Sequence, residues 1–202
     1  MIWNEELKRE IPSGWAADNL YRIANYVNGC ACQKYRPNGE SGLPVVKIKE
    51  MHEGYTNDTE FVSSTIPKKY VIEDGSLLFS WSASLEVMRW THGRAGLNQH
   101  IFHVVPKTPF PLEFVTETLL RYIVNFKAYA EARKTTMGHI TSDHIDQSRI
   151  VIPPASILSS YHTIVSPIYD RMLCLEKQIQ GYSYLRDWLL PMLMNGQVEV
   201  AG

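Results

Sequence analysis

The sequence predicts an α+β protein: a mixed, mostly antiparallel sheet domain with flanking helices over residues 1–153, then a long coiled-coil-type helix within residues 154–202. Three observations lead there. Short apolar runs broken by Gly, Pro, Asn and Asp fill the chain up to Ile152, which is the texture of strands and turns. Phe114 to Arg133 contains no Gly or Pro and sets Leu119, Leu120, Ile123, Val124 and Ala128 along one helical face. After Pro153-Pro154 the texture changes to apolar residues recurring in steps of three and four.

In chain order, Pro44-Val45-Val46-Lys47-Ile48-Lys49 alternates toward its end and reads as a strand with Lys47 and Lys49 on one face. Lys69 to Ile72, Ser76 to Trp81 and Ile101 to Val105 read as three more. Glu73-Asp74-Gly75 suits a hairpin-like turn between two of them, because Asp-Gly tolerates positive φ. The Phe114 helix follows, then a strand over Ser148 to Ile152 ended by the two prolines. From Ser156 to Met194 the residues Ile157, Tyr161, Ile164, Ile168, Met172, Leu175, Ile179, Tyr182, Leu185 and Leu189 mark an apolar seam. Pro167 and Gly181 are the places where such a helix would kink or break, and Asn195-Gly196 supplies its stop. The stripe also suits packing on the chain's own domain. Its length exceeds what a domain of about 150 residues covers, so pairing with another helix is the expectation.

Composition excludes several classes. With 45% hydrophobic and 20% charged residues, 202 residues supply a packed core, not a disordered chain. No apolar run approaches the roughly 18 residues that span a bilayer. Met1 to Glu6 is acidic where a secretory leader is basic, so a cytoplasmic protein with no membrane association is expected. Cys30, Cys32 and Cys174 make a poor disulfide framework, and Cys30-Ala31-Cys32 is too tight for a zinc knuckle. The net charge is −1, and up to Ile150 basic and acidic residues number 17 each. A uniformly basic nucleic-acid binder is thereby excluded, and any DNA-binding face must come from segregation of charge. No Gly-rich phosphate or cofactor loop and no methyltransferase-like Asp/Asn-Pro-Pro-Tyr motif is present. His100 and His103 fall on opposite faces of a strand, and His139, Asp143 and His144 read as turn residues, so neither catalytic residues nor a metal site is expected.

Six segments in order resemble one family. Ile11-Pro12-Ser13-Gly14-Trp15 with Leu20 and Ile23 resembles the opening of a target recognition domain in type I restriction-modification specificity subunits. Gly75 to Ser82, Gly96 to Phe102, Thr135 to Ile140 and Ile150 to Pro154 are similar to its later pieces. Leu185 to Leu193 with Asn195 to Val198 is similar to the end of the family's conserved helix. The resemblance implies a non-catalytic subunit that reads double-stranded DNA. It also implies methyltransferase and restriction subunits as partners, which would hold the S-adenosylmethionine, ATP and magnesium, leaving this chain no cofactor. Full-length members carry two recognition domains, each followed by a helix, and the helices pair antiparallel as a spacer. This chain carries one of each. A helix of about 39 residues spans roughly 58 Å. Two paired antiparallel about a two-fold axis, as a homodimer or with another half, would hold two heads over a bipartite target.

The segment from Ser80 to His100 is the first candidate for base contacts: Ser80, Ser82, Arg89, Trp90, Arg94, Asn98, Gln99 and His100, with Trp81, Thr91 and His92 beside them. Arg makes two hydrogen bonds to guanine, and Asn or Gln to adenine. Core packing of Trp81 and Trp90, and turn-capping by Asn98 and Gln99, are the plainer alternatives. Lys134, Thr135, Thr136 and His139 are phosphate-contact candidates, or else a solvated helix end. Lys47 and Lys49 are either further phosphate contacts or the wet side of a strand. Lys34 and Arg36 are similar to them. The rival reading is a protein-interaction module that works through its helix and binds no DNA.

Overall fold

A computed structural model describes residues 1–39, 41–132 and 140–197. The chain begins with a hairpin of β1 (Ile2–Asn4) and β2 (Arg9–Ile11), then β3 (Ala16–Asp18), the short helix α1 (Leu20–Ile23) and β4 (Ala24–Asn28). A 3₁₀ turn (Cys32–Tyr35) leads to β5 (Leu43–Val46), α2 (Ile48–Glu53) and β6 (Phe61–Val62). A second 3₁₀ turn (Lys68–Tyr70) precedes β7 (Val71–Ile72), β8 (Leu77–Ser80), β9 (Glu86–Arg89), β10 (Ala95–Leu97) and β11 (Ile101–Pro106). Then come α3 (Leu112–Ala132), α4 (Ser142–Asp146), β12 (Ile150–Ile152) and α5 (Ala155–Met194). None of the described helices is long and apolar enough to cross a membrane.

Two four-stranded sheets form most of the domain, beside the β1–β2 hairpin and an antiparallel β3–β12 pair. One runs β4-β11-β8-β9 and is antiparallel throughout; the other runs β6-β5-β10-β7, with β5 and β10 parallel. The first packs α3 against its inner face, burying Leu77, Phe79, Val104, Val115, Leu119 and Phe126 in the main core. A second core gathers Val46, Ile72, Leu78, Trp90 and Leu97 where the sheets adjoin. A third, under Cys30, Cys32, Val45, Val62 and Ile66, seats the two 3₁₀ turns.

The α+β class and the closing helix stand as the sequence predicts; four local expectations do not. The strand expected through Lys49 stops at Val46, because Lys47 caps α2. Its amide donates to Glu50 Oε2 at 3.1 Å and turns the chain into helix. Lys47 and Lys49 are therefore not neighbours on a strand face. Glu73-Asp74-Gly75 is no hairpin, since β7 pairs with β10 in one sheet while β8 pairs with β9 and β11 in the other. The buried face of α3 is Val115, Leu119, Ile123 and Phe126; Leu120 and Val124 point outward, 41% and 66% exposed. Lastly, α5 runs unbroken through Pro167 and Gly181 for 40 residues. Leu158 and Tyr169, on either side of Pro167, are buried and hold that stretch to the domain.

Candidate nucleic-acid interface

One end of the antiparallel sheet brings four segments together. Ser80 lies opposite Ile101, and Asn28 opposite Phe102, so the chain leaving β8, entering β11 and leaving β4 meets at one edge. Trp81 donates from Nε1 to Asn28 Oδ1 at 3.1 Å, and its ring lies 5.6 Å from His100 and 6.0 Å from Phe102. The Trp81 carbonyl accepts the Ile140 amide at 2.9 Å, which fixes the chain where it re-enters the described residues. Gln99 Nε2 stands 3.4 Å from His100 Nε2. The third β-segment is clamped from behind: Gly29 donates to Ile101 O and Cys30 to Leu97 O. A Cβ on Gly29 would lie 2.1 Å from Asn98 O, so only glycine fits this junction. Asn28 is exposed, and Gln99 and His100 are half-exposed, at this edge; Asn and Gln side chains have the donor and acceptor pair that can match an adenine edge in a groove.

Of the expected reading residues, only some reach this surface. Gln99 and His100 do, and Arg94 is exposed on the loop before β10. Ser80 is fully buried; it bonds Ser84 O and accepts the Glu86 amide at 3.0 Å, closing the turn that presents Ala83 and Ser84. Ser82 is buried beside it. Asn98 is buried, and its Oδ1 accepts the His100 amide at 3.3 Å, which is turn-capping. Trp90 is fully buried in the second core and donates from Nε1 to Gly93 O at 2.7 Å. Arg89 is half-buried against α5, away from that edge. Ser80, Ser82, Arg89, Trp90 and Asn98 are thus structural supports of the loops that sequence reasoning took them to read with. Lys47 is paired with Glu60, and Lys49 with Asp58 at 3.6 Å and Thr56 at 3.3 Å, so both lysines have carboxylate partners on the surface. Lys134, Thr135, Thr136 and His139 lie outside the described residues.

A ladder of polar contacts joins α5 to the domain. His162 Nδ1 is 3.2 Å from Glu113 Oε2, and the Tyr169 hydroxyl donates to Glu117 at 2.6 Å. Arg89 donates to Tyr169 O, Lys177 to Asp74 Oδ2 at 2.6 Å, and Gln180 to Thr91 Oγ1 at 2.7 Å. Asp74 also accepts the Gly93 amide at 2.7 Å, so one carboxylate ties the loop carrying Arg94 to the helix. Burial pushes the Asp74 carboxyl up, but Lys177 and the Gly93 amide outweigh it and hold it below the usual carboxylate range. Sequence reasoning missed Asp74, read only as a turn residue, and Asn28, whose surroundings carry no local pattern.

Beyond Gln180 the helix leaves the domain. The apolar seam stays open: Ile164, Ile168, Ile179 and Tyr182 are each more than half exposed, and Ile157, Met172, Leu175 and Leu185 nearly so. Tyr161 and Leu189 are half-buried.

No family model matches the chain. It is 26% identical to the type I restriction enzyme MjaIX specificity subunit of Methanocaldococcus jannaschii, an alignment covering 98% of this chain and 48% of that one. With the HindI specificity subunit of Haemophilus influenzae it is 24% identical over 93% of this chain and 42% of that one. Among solved structures, the type I restriction-modification S subunit from M. genitalium shares its fold with a TM-score of 0.56 at 14% identity, over 92% of this chain and 47% of that one. A chain from a structure of type I R-M complex assembly and conformational transition gives 0.52 at 16%, over 87% and 43%. The chain spans about half the length of the curated relatives it matches. It is a half-length relative of the type I restriction enzyme specificity subunits.

Proposed function

We propose that the chain recognises one half of a bipartite DNA target, in sequence-specific fashion, and directs methyltransferase and restriction subunits to it. One observation carries the reading: a single head, with Asn28 exposed and Gln99 and His100 half-exposed at one sheet edge, is fastened to a 40-residue helix whose apolar seam is open. The helix is about 60 Å long. Paired antiparallel with a second copy, or with another half of the same kind, it sets two heads on one duplex, and a homodimer reads an inverted repeat. The groups we assign to DNA at this edge are Gln99, His100 and Asn28. Arg94, on the loop tied to Asp74 at the other end of the sheet, and Lys134, Thr135, Thr136 and His139, which precede Ile140 in the sequence, are further candidates for phosphate contacts. The chain itself does no chemistry and holds no cofactor. S-adenosylmethionine, ATP and magnesium act in its partners, and the complex works in the cytoplasm. The rival, a helix-driven interaction module with no DNA, leaves the likeness to specificity subunits over the head unexplained.

Methylome sequencing of the host with and without the gene tests this. Loss of one bipartite methylation motif is expected on deletion; an unchanged methylome overturns the reading.

A further inference from the structure

The head has net charge close to zero, yet its cations are unevenly neutralised. Lys47, Lys49, Lys177, Arg22 and Arg149 each lie within 4 Å of a carboxylate. Lys34, Arg36, Lys68 and Lys69 have no such partner among the described residues, and all four are exposed. They sit on the two 3₁₀ turns, which the fold brings together: the Tyr35 and Tyr70 rings are 6.3 Å apart over the third core, and Tyr35 O accepts the Ser63 amide at 2.7 Å. Lys69 Nζ stands 4.8 Å over the Tyr70 ring, which orients the ammonium without cancelling its charge. The turn bearing Lys34 follows the Gly29–Cys30 clamp onto Leu97 and Asn98, the same junction that presents Gln99 and His100.

We propose that Lys34, Arg36, Lys68 and Lys69 hold the phosphate backbone of duplex DNA beside the reading edge, and that Lys47 and Lys49 take no part. This rests on the DNA-binding reading above and deepens it by separating the groups that position from those that specify. Four exposed cations with no carboxylate within 4 Å among the described residues, gathered on two adjoining turns, give the local positive patch that a chain of net −1 needs to approach a polyanion. Lys47 and Lys49 are already paired with Glu60 and Asp58, so each would have to give up a carboxylate partner before it could neutralise a phosphate.

The test is a salt series on the full chain with a short mixed-sequence duplex, binding read by fluorescence anisotropy from about 50 to about 200 mM salt. Each phosphate contact contributes about 0.9 to the slope of log K against log salt. A variant with Lys34→Ala, Arg36→Ala, Lys68→Ala and Lys69→Ala should flatten that slope by roughly 3 to 4, with an unchanged circular dichroism spectrum. The single changes Lys34→Gln and Lys69→Gln, which keep the side-chain stems, should each flatten it by about 1. Lys47→Ala with Lys49→Ala should leave it unchanged. A wild-type slope in the folded four-site variant, or in both single variants, overturns the assignment while leaving DNA binding standing. Equal flattening in the Lys47/Lys49 control also overturns it. A wild-type chain that binds no duplex overturns both this assignment and the reading it rests on.

Discussion

The Arg89 guanidinium lies 5.2 Å over the Tyr169 ring and donates to the Tyr169 carbonyl at 3.4 Å, so a residue on the sheet edge grips the middle of the long helix. A third bond, from Nε to Gly75 O at 3.5 Å, ties the same side chain to the turn before β8. Arg89→Ala should therefore lower the stability of the chain by about 1 to 2 kcal/mol, combining a partly desolvated cation–π contact with lost charge-assisted bonds. Arg94, exposed on its loop, should change stability by no more than about 0.5 kcal/mol when replaced by Ala. Urea unfolding of the two variants checks this. Equal midpoints would mean that Arg89 does not brace the helix.

The same junction makes the chain sensitive to acid in two stages. Burial lowers His92, with the Asp74 charge opposing it only in part; Asp74 itself is held low by Lys177 and the Gly93 amide against burial. Both groups titrate lower in the folded chain than in the unfolded one. Their contributions are thus present above the unfolded values, about 6.5 for His and about 3.9 for Asp, and are lost as pH falls. Stability should drop first as pH falls below about 6.5, and again below about 4. His92→Gln should shrink the first drop, leaving the share of His103, which burial also lowers, and keep the second. Urea midpoints along an acid series measure both, and a midpoint unchanged down to the carboxylate range would contradict the placement of His92.

What was legible in the sequence follows the range of the interactions involved. The helix α5 was readable because its apolar spacing is local and repeats, and its end was readable because Gly196 adopts φ 65° at the stop. The strands β8 and β11 were legible as apolar runs. Their partners were not: whether the Asp74 turn joins two strands of one sheet depends on pairing with β10 and β11, decades of residues away in the chain. The reading segment shows the same divide. Ser80, Asn98 and Trp90 have the chemistry of base contacts, and only burial distinguishes them from Gln99 and His100. Trp90→Ala should be destabilising by about 3 to 5 kcal/mol, as for a large core side chain removed without collapse. Trp81, half-buried at the edge, should lose less, and thermal unfolding of the two tryptophan variants gives the order.

Base contacts and phosphate contacts separate by their salt dependence. Gln99→Ala and His100→Ala should each weaken binding to the cognate half-site by about 1 to 3 kcal/mol, leaving binding to unrelated duplex and the salt slope unchanged. Competition titrations of cognate against scrambled duplex check this, once the methylated motif is known. A uniform loss on both duplexes would place these side chains among the backbone contacts instead.

The last prediction concerns the seam. Ile164, Ile168 and Ile179 are more than half exposed, and Met172 and Leu175 nearly so, while Leu158 and Tyr169 on the same helix are buried against the domain. The two faces are therefore separable by mutation. Ile164→Glu with Ile168→Glu places charge on the open face and touches none of the bonds from His162, Tyr169, Lys177 or Gln180 that fasten α5. Burial of an unpaired carboxylate between helices is strongly unfavourable, so pairing should fail while each head keeps its fold. Sedimentation velocity should show the wild-type chain as a dimer and the variant as a monomer with the same circular dichroism. A head that reads half a site alone should then lose affinity for the bipartite duplex by the whole contribution of the second head, but keep its salt-dependent grip on unrelated DNA. Retention of full bipartite affinity by a monomeric variant would mean that one head suffices and that the open seam serves something other than spacing two of them.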